Sequence, residues 1–149
     1  FGHVAIRHAC EGATTELRSI HKEASERVAQ HRLRNLSLEL SYKMLQDQHM
    51  PTLAEAVKAV PSVEKLHLYC NQLTDISALL EVGLAGALPS VREIYLNQNK
   101  LSNAAVSALA KAIEEGAFPK LDGVELDDNP ATNKAEVKEA LAKRNTFSA

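Results

Sequence analysis

Four segments of this chain carry one apolar spacing: LRNLSLELS from Leu33, VEKLHLYCN from Val63, VREIYLNQN from Val91 and LDGVELDDN from Leu121. The starts recur about every 30 residues, the length of one strand-plus-helix unit in a stacked repeat. A single unit of that size cannot bury its own apolar side, so each must be covered by its neighbours. The repeat therefore limits the chain to a stacked α/β arrangement forming one domain over residues 1–149.

Within each segment the apolar residues stand at the first, fourth and sixth places: Leu33, Leu36 and Leu38; Val63, Leu66 and Leu68; Val91, Ile94 and Leu96; Leu121, Val124 and Leu126. Alternation over the last two predicts a short strand with one face buried. Asn71, Asn99 and Asn129 follow at the ninth place, where an amide can satisfy backbone groups stranded as the chain turns off the strand. Ser41 takes that place in the first segment and is expected to serve it less well. A further apolar point follows at Leu73, Leu101 and Ala131, whereas the first segment has Lys43 there, with Met44 and Leu45 nearby. The first segment is the least regular of the four.

Helical spacing between the strands predicts helices over Thr52 to Val60, Ile76 to Leu88, Asn103 to Glu115 and Asn133 to Arg144. In the third, Val106, Leu109, Ala110 and Ile113 share one side, and Gly116 supplies a stop. Pro61, Pro89 and Pro119 each precede a strand's first apolar position by two residues, where a fixed φ and a missing donor cost little. Upstream, Leu17, Ile20, Ala24 and Val28 predict an amphipathic helix over Thr14 to Gln30, completing an earlier partial unit. Its strand would fall on His3, Ile6 and His8, a poor match. The helix from Asn133 is the most charged and is expected to cap the stack, leaving 145–149 as a tail.

The pattern LxxLxLxxN followed by a helix resembles the leucine-rich repeat family, and the alanine-rich stretch LSNAAVSALAKAIEEGAFPKLDGVELDDNP, residues 101–130, is similar to its ribonuclease-inhibitor-like subclass. The likeness covers Leu33 to about Arg144. It implies a solenoid with a curved parallel sheet on the concave face and helices on the convex face. It also implies protein binding, with some members acting on small GTPases or sensing ligands. The repeat residues are scaffold positions and carry no special role across.

Charge and composition narrow the function further. Seventeen Lys and Arg against nineteen Asp and Glu give a net charge of -2, which provides no electrostatic footprint for nucleic acid or an anionic membrane. No apolar run is long enough to insert in a membrane, and no charged leader precedes an apolar segment. The chain opens on Phe1 rather than Met, which suggests a processed, trimmed or partial chain. Cys10 and Cys70 form no disulfide framework, so an intracellular, cytoplasmic setting is expected.

Side chains alternate across a strand, so the fifth places, Ser37, His67, Tyr95 and Glu125, and the seventh, Glu39, Tyr69, Asn97 and Asp127, are expected on the concave side. His67, Tyr69 and Tyr95 would form an aromatic-polar centre suited to a partner protein, since tyrosine gives large contact area with few rotamers to freeze. The same residues could instead simply cover the sheet. Glu125 and Asp127, with Asp128, make an acidic end that favours a basic segment on the partner. Their bland counterpart is a solvated loop edge.

Chemistry finds less support. Glu125 and Asp127 mark no pocket for general acid–base work, His67 and Cys70 lack further ligands at metal spacing, and Cys10 with His8 or His3 has no orienting third group. Asn35, Leu36 and Ser37 match a glycosylation sequon but lie in a predicted strand. The expectation is a non-enzymatic interaction module without metal or cofactor; the alternatives are a structural subunit of a larger assembly and a regulator of a small GTPase.

Overall fold

A computed structural model describes residues 36–148. The predicted helix over Thr14 to Gln30, the strand at His3, Ile6 and His8, and Cys10 lie outside them. The described chain runs β1 (Leu36–Glu39), a 3-10 turn (Asp47–His49), α1 (Met50–Lys58), β2 (Val63–His67), α2 (Ser77–Leu84), β3 (Glu93–Tyr95), α3 (Asn103–Glu114), β4 (Gly123–Glu125) and α4 (Ala135–Ser148). The four strands form one all-parallel sheet in sequence order. Neighbouring helices pack in the same order, each against the next.

Local chemistry sets the helix ends. Pro51 sits in the first turn of α1, where no N–H is needed. Ser102 caps α3, its Oγ accepting the Ala105 N–H. Gly116, at φ +106°, closes α3, with the Ala117 N–H reaching back to the Ala112 carbonyl. Gly86, at φ +103°, does the same for α2, with the Ala87 N–H bonded to the Val82 carbonyl. That closure ends α2 at Leu84, four residues before the predicted Leu88, because Leu88 must leave the helix to enter the core ahead of Pro89. α1 and α3 match their predicted spans to within two residues, whereas α4 starts two residues later than predicted and runs on to Ser148, so residues 145–148, expected as a tail, are helical.

One continuous core takes the inward strand residues Leu38, Leu66 and Ile94, the turn residues Leu45, Leu73 and Leu101, and the apolar sides of the helices. Phe118, Leu79, Val106 and Ile113 are fully enclosed. Because α1, α2 and α3 each present alanine, valine and leucine at helical spacing, their burial against the sheet supplies most of the driving force.

The register corrects the reading of the first segment. Leu38, not Leu36, stands opposite Leu66, and Glu39 opposite His67. Pairing slips between Leu36 and Ser37, which face Val63 and Lys65 and leave Glu64 as an extra residue in β2. The first segment is thus phased two residues later than the pattern at Leu33 suggests, with Leu40 at the level of Leu68 and Leu45 at that of Leu73. Lys43, not Ser41, occupies the ninth place. The slip leaves Leu38 and Leu40 buried and Ser37 and Glu39 exposed, as expected, because the strand period is two.

The asparagine column forms as the spacing predicts at its other three positions. Asn71 Nδ2 donates to the Leu40 and Leu68 carbonyls at 3.0 and 2.9 Å, while its Oδ1 accepts the Lys43 and Leu45 N–H groups at 3.1 and 3.0 Å. Asn99 bridges Leu68 and Leu96 carbonyls and the Leu73 N–H; Asn129 bridges Leu96 and Leu126 carbonyls and the Leu101 N–H. Each amide satisfies backbone groups of its own segment and of the one before.

Candidate functional site

The solvent side of the sheet is built from alternate strand residues and from the turn after each strand. Glu39, His67, Tyr95 and Glu125 fall on one rung across β1 to β4. Ser41, Tyr69, Asn97 and Asp127 come two residues on. Ser37, expected beside His67, stands instead on the preceding rung, opposite Lys65.

The predicted aromatic centre is assembled. The His67 and Tyr95 rings stack 4.6 Å apart and 7° from parallel, and Tyr69 meets His67 edge-on at 5.8 Å. Tyr42 extends the series, its ring 5.8 Å from Tyr69 at 86°. Four rings from three strand–turn segments thus make one connected surface, each pair adding about 0.5–1.5 kcal/mol beyond area burial. Tyr42 is 72% exposed, the most open large apolar side chain among the described residues.

Sequence reasoning did not single out Tyr42. In the corrected phase it stands at the same place as Cys70, Gln98 and Asp128, and all four share a left-handed backbone, with φ of 57°, 58°, 56° and 60°. The signal was present in Leu45: counting back from that buried turn residue, rather than forward from Leu33, puts Tyr42 in line. Cys70 Sγ contacts Gln98 Oε1, and a hydrogen bond with Cys70 raises the Tyr42 phenol above its ordinary value.

Acidic groups frame the rings. Glu39 Oε1 accepts the Ser41 hydroxyl and, at 3.4 Å, its N–H, so Ser41 orients Glu39 rather than bracing the turn. Glu39 Oε2 lies 3.6 Å from His67 Nδ1, which is shielded from solvent and has no hydrogen-bond partner among the described residues. The Tyr95 hydroxyl donates to Glu93 Oε2, and that bond, with burial and the charges of Glu93 and Glu125, pushes the phenol up to about 12. Lys65 Nζ stands 4.0 Å from Glu93 Oε2. Beyond the rings, Glu125, Asp127 and Asp128 are exposed on β4 and its turn, with no cationic partner among the described residues. His67, Tyr69 and Tyr95 are thus brought together, whereas Asn97, Glu125 and Asp127 continue the surface without joining the ring contacts.

Such a surface suits recognition. The rings supply apolar area already held in place by one another, and the acidic groups supply direction. Among the described residues no cluster of three or more His, Cys, Asp or Glu is placed to hold a metal ion, and no helix is long and apolar enough to cross a membrane. No protein-family model matches the chain, and no curated protein matches it.

Proposed function

We propose that this chain is a non-catalytic protein-binding module of leucine-rich repeat type, a short solenoid whose sheet forms the concave face and whose helices form the convex one. The connected series Tyr42, Tyr69, His67 and Tyr95 carries the reading. Rings held by neighbouring rings lose little rotamer freedom on contact, which is the economy of a hot spot. A partner laid across them would place a basic segment toward Glu125 and Asp127, neither of which forms an ion pair among the described residues. The asparagine column and the parallel order of the strands support the repeat assignment, since both recur in phase with the sequence pattern.

The test is capture of partners from native lysate by the 149-residue chain and by a variant with His67, Tyr69 and Tyr95 changed together to alanine, with folding checked by circular dichroism. Loss of a partner with the fold intact supports recognition by this face. Unchanged capture by the folded variant overturns it. Tyr42→Ala alone, at an exposed position, is expected to weaken the same interaction by about tenfold, the effect of a single ring worth roughly 1.4 kcal/mol.

A further inference from the structure

One place on the exposed side of the sheet is empty. On the rung before the rings, Ser37, Lys65, Glu93 and Gly123 stand opposite one another across β1 to β4. The first three fill their places with side chains, and Gly123 ends the row with none. A β-carbon built on Gly123 would meet no atom within 4 Å, and no positive φ requires glycine there. The backbone would accept a side chain that the sequence leaves out, and a notch one side chain wide results.

A ring and two carboxylates surround that notch. Tyr95 stands on β3 opposite Glu125, and its ring lies 7° from parallel to that of His67 at 4.6 Å. This separation matches the ~4.8 Å spacing of neighbouring strands, so the two rings stand upright with their faces turned along the row of strands. His67 covers one face of Tyr95. The other is turned toward β4, where no ring meets it among the described residues. The Tyr95 hydroxyl donates to Glu93 Oε2, which draws the ring back along β3 beside the empty place. Glu93 lies across the strand pair from Gly123, and Glu125 stands two residues along β4 on the same side; the charges of both act on the Tyr95 phenol. The cations of neighbouring positions are engaged elsewhere: Lys65 Nζ is 4.0 Å from Glu93 Oε2 on the β2 side, and Arg92 Nη1 is 3.5 Å from Asp122 Oδ2.

Taking the ring surface as the partner-binding face, we infer that this notch receives an arginine side chain of the partner protein, its guanidinium flat against the free face of Tyr95 and its N–H groups directed to Glu125. A planar cation continues the column that His67 and Tyr95 begin, whereas an ammonium has no plane to stack. The guanidinium fork also matches a carboxylate with two parallel bonds. An aliphatic side chain in the same place would strip water from Glu93 and Glu125 without pairing either. A further strand beside β4 would bound the notch rather than enter it, as β4 itself stands beyond Glu93 without covering it.

The probe is the blocked tripeptide acetyl-Gly-Arg-Gly-amide, titrated into the 149-residue chain and followed by backbone amide and tyrosine ring shifts. The same peptide with lysine or citrulline in place of arginine is titrated beside it. Saturable shifts are expected at Gly123, Glu125 and the Tyr95 ring, with binding at least about threefold weaker for lysine and none for citrulline. Gly123→Val fills the notch with a residue suited to a strand; it should weaken the arginine peptide by about tenfold or more, with an unfolding midpoint no lower than that of the native chain. Glu125→Gln, at an exposed position, should weaken it by about threefold. Absence of saturable binding, equal binding of the arginine and lysine peptides, undiminished binding by folded Gly123→Val, or shifts centred away from Gly123 overturns the proposal. Shifts of one of the chain's own arginine Nε–H groups on Gly123→Val, without peptide, assign the notch to the chain itself and overturn the partner assignment. A partner captured by Gly123→Val but lost from the variant with His67, Tyr69 and Tyr95 changed to alanine overturns the notch and leaves the ring surface standing. A partner retained by both variants overturns the ring surface itself.

Discussion

The ring of Phe118 lies directly against the backbone of Gly83: a β-carbon built on that glycine would stand 2.6 Å from both Cε1 and Cζ. Alanine at a helical glycine ordinarily gains about 1 kcal/mol. Here overpacking costs about 1–3 kcal/mol, and the overpacking wins, because Phe118 is fully buried with its own backbone at φ +50° and has little room to yield. Gly83→Ala should therefore lower stability by up to about 2 kcal/mol in urea unfolding. Adding Phe118→Leu should recover part of that loss in a double-mutant cycle. A net gain from Gly83→Ala alone would contradict the account.

The asparagine column gives a ranked series. Asn99→Ala strands the Leu73 N–H in the interior, at a cost of about 1–3 kcal/mol, while the Leu68 and Leu96 carbonyls keep the Asn71 and Asn129 amides as donors. Asn71→Ala strands more, taking the donor from the Leu40 carbonyl and the acceptor from the Leu45 N–H. Asn129 makes similar bonds but is itself half-exposed, so water can replace the amide. Denaturation midpoints should fall furthest for Asn71→Ala, and equal losses at all three would show that the number of stranded buried groups does not set the penalty.

Arg144 closes the far end of α3. Its Nη1 donates to the Ile113 and Ala117 carbonyls at 3.3 and 2.6 Å, and its Nη2 to those of Phe118 and Leu121 at 2.7 and 3.2 Å. These carbonyls stand where α3 ends and β4 begins; the guanidinium gives donors to those of Ala117 and Leu121, adds a second bond to those of Ile113 and Phe118, and meets the negative end of the helix. Arg144→Ala should cost about 2 kcal/mol or more. Arg144→Lys should recover only part of it, because a compact ammonium cannot reach four acceptors from one position. Full recovery by lysine would reduce the contact to charge alone.

Tyr95 makes the chain sensitive to alkali. Its folded-state value, about 12, stands above the ordinary 10.0 because the hydroxyl donates to Glu93. The stabilisation from this bond is fully present below pH 10 and is lost as the pH rises toward 12. Phenolate absorbance should show one of the three tyrosines titrating last, with that component absent in Tyr95→Phe. Glu93→Gln should move it back toward 10, by removing both the ionic acceptor and the nearby charge. Unchanged titration in that variant would remove Glu93 as the cause.

The residues that built the sheet and its core were legible because each satisfies two requirements at once. Leu66, Ile94 and Val124 fit the strand alternation and the repeat spacing, and Asn71, Asn99 and Asn129 stand where the turn needs an amide. The first segment was misphased because Leu36, Leu38 and Leu40 form an unbroken alternation that fits two registers equally well. Only Leu45 decides between them, by demanding a buried turn position. The two-residue error left Ser37 and Glu39 on the correct face but moved both by one rung, put Ser41 in the wrong role and hid Tyr42. The pairing of His67 with Tyr95 was visible as shared phase, whereas the notch at Gly123 was not. Whether a missing side chain leaves a notch depends on what stands beside it in space, and spacing within the strand carries no trace of those neighbours.

The asparagine bonds run one way along the sequence: Asn71 holds the turn at Lys43 and Leu45, Asn99 the turn at Leu73, and Asn129 the turn at Leu101. Each turn is therefore braced by a residue made later than itself. At about 5–20 residues per second, a ribosome adds the next asparagine some seconds after the turn it will brace has been synthesised. Until then the newest segment is provisional, and a stalled chain exposes one unbraced turn at its growing end whatever length it has reached.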